Sequence, residues 1–104
     1  MAKRTPPTYP AARRQVLALG ARLRAARLRR EMSQAVLAER VGVTVQTLGK
    51  LEAGNPSTSV ATLLRVLQML GLGQDIDHLA ADDEQGRALQ DGRLTRAPFK
   101  RSSE

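Results

Sequence analysis

Residues 33–54 read SQAVLAERVGVTVQTLGKLEAG, and the spacing within them predicts two short helices joined by a tight turn. Leu37, Ala38 and Val41 recur at helical intervals and mark the buried face of the first helix, over Gln34–Val41. Ser33 stands just ahead of it, able to accept from the free N–H groups of its first turn. Three residues on, Val36 occupies the place of a glutamate, so the reciprocal half of a capping box is missing. Gly42 suits the left-handed position that ends a helix, and Val43 points back to the core. Thr44 caps the second helix, over Val45–Glu52, in which Leu48 and Leu51 form the buried pair. Val45, Gln46, Gly49 and Lys50 are left facing solvent. Ala38 is small where the two helices cross. Any all-α domain with a glycine-containing corner between helices is the competing reading.

Working outward, Leu19, Leu23 and Ala26 fall at spacings of four and three, with Val16 extending the same face. They predict a first helix over Arg13–Arg30, with Arg22, Arg24, Arg29 and Arg30 mostly on its other side. Gly20 within it is tolerated at a cost of roughly 1 kcal/mol relative to alanine. Downstream, Gly54-Asn55-Pro56-Ser57-Thr58 reads as a loop. Ser59 caps a fourth helix whose Leu63, Leu64, Val66, Leu67 and Leu70 form a broad apolar stripe. Gly71-Leu72-Gly73 ends it, and Ile76 and Leu79 suggest a short fifth helix over Gln74–Leu79. The predicted organisation is an arm over residues 1–12, an all-α domain over 13–80 and a polar tail over 81–104. The arm, with Pro6, Pro7, Pro10, Lys3 and Arg4, either tracks a DNA groove or is solvated. The tail has only Leu89, Leu94 and Phe99 as sizeable apolar residues, so it is expected to be disordered or to dock on a partner.

The charge is uneven. Residues 1–60 carry eleven Lys/Arg against Glu31, Glu39 and Glu52, a balance of +8, whereas residues 61–104 stand at −1. A basic half suits a polyanion, because each neutralised phosphate releases condensed counterions. There is no cysteine, hence no disulfide and no thiolate metal site. No apolar run is long enough to span a bilayer and residues 1–12 lack a signal-peptide core, so a soluble cytoplasmic protein is expected. Nothing looks catalytic: His78 is the sole histidine, and no glycine-rich phosphate loop is present. Asp75, Asp77, Asp82, Asp83 and Glu84 cluster without the glycine and terminal glutamate of a calcium loop. No enzyme activity, metal or cofactor is expected.

From about Leu19 to Leu79 the chain resembles the XRE/Cro/CI family of helix-turn-helix domains. The likeness is carried by LRAARLRREMSQAVLAERVGV, by TLGKLEAG and by the Pro56-Ser57 and TLLRVLQMLGL stretch. The resemblance implies an all-α, five-helix, lambda-repressor-like fold. It also implies a homodimer that binds a palindromic double-stranded DNA operator, with the third helices in successive major grooves about 34 Å apart. Matched residue by residue, Gln34 corresponds to a glutamine that holds a phosphate and buttresses recognition, and Thr44 and Thr47 to backbone contacts. Val45, Gln46, Gly49 and Lys50 correspond to positions that reach base edges. Gln46 suits adenine, Val45 a thymine methyl, and Lys50 a guanine or a phosphate. Gly49 departs from the family, which presents a side chain there; this narrows the readout or shifts it to DNA shape. Arg27 and Glu52 correspond to an ion pair that ties the first helix to the end of the third. The GNPSTSVATLLRVLQMLGLGQDIDHLA run further resembles HipB-type antitoxins, which neutralise HipA-like serine/threonine kinase toxins and repress their own operon; GRALQDGRLTRAPFKR resembles their tails. Three functions stay open: such an antitoxin, a stand-alone XRE-family repressor, and a protein-interaction module without DNA binding.

Overall fold

The computed structural model describes residues 9–96. In chain order it holds α1 (Pro10–Arg29), α2 (Gln34–Val41), α3 (Val45–Glu52), α4 (Val60–Met69), a 3-10 segment (Gly73–His78) and α5 (Glu84–Arg96), with no strand among the described residues. The all-α, helix-turn-helix architecture is as expected. None of these helices is long and apolar enough to cross a membrane. Residues 1–8 of the expected arm, and Phe99 with the rest of 97–104, lie outside the described residues.

α2 and α3 have the predicted limits, because each is punctuated locally at both ends. Ser33 Oγ accepts from the Val36 N–H and Thr44 Oγ1 from the Thr47 N–H, at 3.1 Å each. Between the helices Gly42 takes φ +88°, and its N–H returns to the Ala38 carbonyl at 2.8 Å. Ser59 repeats the capping at the start of α4, accepting from the Thr62 N–H at 3.0 Å.

Three elements differ from the sequence reading. α1 starts at Pro10, three residues early, since a proline at the first helical position brings a preset φ and no N–H to waste. The expected fifth helix is 3-10 and shifted by one residue, over Gly73–His78. Opening at Gly73, two residues after Gly71, the segment closes with short i→i+3 bonds, such as Asp75 N–H to the Leu72 carbonyl at 3.0 Å. The third difference is α5, a helix in a stretch to which the sequence reading assigned none. Asp83 starts it by accepting from the Gly86 N–H at 2.9 Å, and Asp82 pairs with Arg87 at 2.8 Å. Leu89 stays exposed, so local capping rather than burial accounts for this helix.

The core is aliphatic. Leu23 and Ala26 of α1 meet Leu37 and Ala38 of α2, Leu48 and Leu51 of α3, and Val66, Leu67 and Leu70 of α4. Val41, Val43, Leu63 and Ile76 pack around it as partly buried residues. Leu79, expected to join Ile76, is instead 67% exposed.

Candidate nucleic-acid interface

α3 shows one side to the core and the other to solvent. Leu48 and Leu51 are buried, while Val45 (43% exposed), Gln46 and Lys50 project outward with Gly49 half-buried among them. A Cβ built on Gly49 would meet only Gln34 Nε2, at 3.9 Å. Packing therefore does not demand glycine there, and its absent side chain leaves the α3 backbone open to close approach.

Arg27 and Glu52 hold this helix in place. Both are buried, at 5% and 7% exposure. Arg27 donates from Nε to Glu52 Oε2 at 2.7 Å and from Nη2 to Oε1 at 3.0 Å, a bidentate pair. Its Nη1 donates to the Met32 carbonyl at 2.8 Å, so one guanidinium ties together the end of α3, the α1–α2 turn and α1 itself. The hydrogen bond to Glu52 holds the guanidinium above its ordinary pKa, burial opposing and the carboxylate charge assisting. Gln34 completes the group by donating from Nε2 to Glu52 Oε1 at 3.0 Å. Gln34 thus braces α3 through a bond that the sequence did not reveal. Its second Nε2 hydrogen and the free N–H groups that open α2 remain for an anion.

The threonines have defined polarity. Thr44 Oγ1 accepts from the Thr47 N–H and donates to Thr47 Oγ1 at 3.0 Å. The Thr47 hydroxyl hydrogen is then free to point outward.

Two glycines that sequence reasoning undervalued set the pose. A Cβ on Gly20 would lie 2.5 Å from the Glu52 carbonyl oxygen and 2.7 Å from that of Leu51. Gly20 is thus where α1 presses on the end of α3, and the propensity cost assigned to it from sequence misses this role. Gly54 has φ +77°, and a Cβ there would fall 2.6 Å from Leu17 Cα. One signal was available for Gly20: it lies seven residues before Arg27, two turns up the same face of α1. After Gly54 the chain folds back, and the Asn55 N–H donates to the Lys50 carbonyl at 2.9 Å.

A helix in this pose, with apolar residues inward and a row of small, polar and basic side chains outward, is what entry into a major groove requires. A family model described as a helix-turn-helix domain matches residues 18–79, more than half of the chain. The chain belongs to the helix-turn-helix domain family. No curated protein and no solved structure matches it. This helix-turn-helix domain is of the XRE-like, DNA-binding kind, and its match spans α1 from its third turn to the end of the 3-10 segment. Pro10–Leu17 of α1 and the whole of α5 lie outside the match.

Proposed function

We propose that this chain is a sequence-specific transcriptional repressor that binds a palindromic operator as a homodimer. The observation that carries the reading is the outward row of Val45, Gln46 and Lys50 on a helix braced by Arg27, Glu52 and Gln34. Gln46 has the reach and the donor–acceptor pair to read adenine, and Val45 to pack on a thymine methyl. Lys50 reads guanine or holds a phosphate. Gln34, Thr44 and Thr47 contact the backbone through the donors described above. Gly49 adds no side-chain contact and favours a close fit between backbone and DNA. The dimer seam falls at the exposed Leu79, on the rim of an apolar groove of about 410 Å³ between α1, α4 and the 3-10 segment.

The finer reading is that the repressor is the antitoxin of a HipBA-like toxin–antitoxin pair, neutralising a HipA-like serine/threonine kinase toxin. It rests on the resemblance of the α4-to-tail sequence and on α5. A 13-residue helix with Leu89 exposed is marginal alone in water, which suits a segment that docks on a partner. The alternative is a stand-alone XRE-family repressor, favoured by a domain that is packed and braced without α5.

Selection from a random duplex library, followed by titration at several salt concentrations, tests the first claim. A palindromic consensus bound with salt-sensitive affinity is expected. Absence of any salt-sensitive DNA binding would leave only an interaction module. Expression with the neighbouring reading frames separates the finer readings: a co-purifying kinase supports the antitoxin, and a lone protein with full operator affinity supports the repressor.

A further inference from the structure

α1 runs past the family domain for two turns, over Pro10–Leu17, and this extension is heavily basic. α1 contains neither Asp nor Glu: over its 20 residues, from Pro10 to Arg29, every charged residue is arginine. Two of them, Arg13 and Arg14, lie in the first turns, at the positive end of the helix, where a cation is unfavourable. Both are exposed, and neither pairs with a carboxylate among the described residues.

Their place in the fold relates them to α3. Leu17 packs against Gly54, and Arg13 and Arg14 precede Leu17 by four and three residues, so they share its face one turn further out, about 6 Å along the axis. Gly54 leads into Asn55, whose N–H donates to the carbonyl of Lys50 on the reading side of α3. The contacts thus lead from Lys50 through Asn55 and Gly54 to Leu17, one turn from Arg13 and Arg14.

We propose that Arg13 and Arg14 form a phosphate clamp outside the helix-turn-helix, gripping the DNA backbone beside the segment read by α3. The clamp rests on the DNA-binding reading above and deepens it. It adds affinity without sequence information, because guanidinium–phosphate contacts fix register and read no base. The unfavourable charge at the start of α1 is offset in the complex by the phosphates.

The test is a set of anisotropy titrations of the full chain on its selected operator and on random duplex, across a salt series. Each phosphate contact contributes about 0.9 to the slope of log K against log salt, so Arg13→Gln/Arg14→Gln, which removes two contacts from each protomer of the bound dimer, should lower its magnitude by about 3.6. Affinity should fall by the same factor on operator and random duplex, and thermal melts should not fall. Arg13→Lys/Arg14→Lys should keep the slope. Arg22→Gln/Arg29→Gln removes the same charge from the groove between α1, α4 and the 3-10 segment, and should leave the slope close to wild type. An unchanged slope in the Arg13/Arg14 double variant overturns the clamp, as does an equal loss in both double variants, which would report net charge alone. If the wild-type chain itself shows no salt-sensitive binding, the DNA-binding reading falls as well, so the two failures are distinguishable.

Discussion

Arg27 uses three donors at once, on two carboxylate oxygens and the Met32 carbonyl, so its loss leaves Glu52 buried with only Gln34 as partner. Arg27→Ala should destabilise the protein by about 3–5 kcal/mol, measured by chemical denaturation; an unchanged midpoint would contradict the bracing role. The sign of the pH effect follows from the raised pKa of Arg27. Its contribution is full below the ordinary arginine value and is lost only as pH rises through the still higher folded one. Arginine therefore adds no pH dependence to stability between about pH 7 and 10. The two glycines should respond in opposite directions. Gly20→Ala should cost roughly 1–3 kcal/mol, the Cβ being driven into the Glu52 carbonyl. Gly49→Ala should gain about 1 kcal/mol of stability, since its Cβ meets nothing closer than 3.9 Å. Gln46→Ala should weaken operator binding by about 1–3 kcal/mol and hardly affect random duplex; equal losses on both would reassign Gln46 to backbone positioning.

At the scale of elements, α2 and α3 were legible residue for residue because their signals are short-range. Ser33, Gly42 and Thr44 act within four positions of themselves, and Leu37, Leu48 and Leu51 supply the period. The Gly73–His78 segment was less legible: Ile76 marked a partly buried position, but a run of six residues does not distinguish α from 3-10 bonding. α5 was hidden because hydrophobic period is the main helix signal, and this helix has almost none. Its start, Asp83 over Gly86, is a local device of the kind read correctly at Ser33 and Thr44. Since α5 buries no large side chain among its described ones, deleting residues 83–104 should leave the stability of the domain within about 0.5 kcal/mol. A larger fall in the denaturation midpoint would mean that α5 packs on the domain.

For the whole molecule, charge is segregated, while exposed apolar side chains are found in both halves, Leu17, Leu28 and Val36 among them in the basic one. The +8 half holds α1 to α3 and the start of α4, while the exposed Leu79 and Leu89 lie in the half at −1. Leu79→Asp should leave the melt unchanged, because the residue is 67% exposed. If Leu79 lies in the dimer seam, sedimentation should show a shift to monomer, and operator affinity should fall further than random-duplex affinity. A variant that stays dimeric would move the seam elsewhere. The sequence by itself determined the helix-turn-helix, its caps, its turn and the outward row of α3, because each depends on residues within a turn or two of one another. Only the tertiary structure decided how α3 is held: by Gly20 against the Glu52 carbonyl, Leu17 against Gly54, and Gln34 on the carboxylate that Arg27 grips. Those contacts join residues 18 to 37 positions apart, where neither propensity nor periodicity acts, and they exist only once the core has brought the helices together.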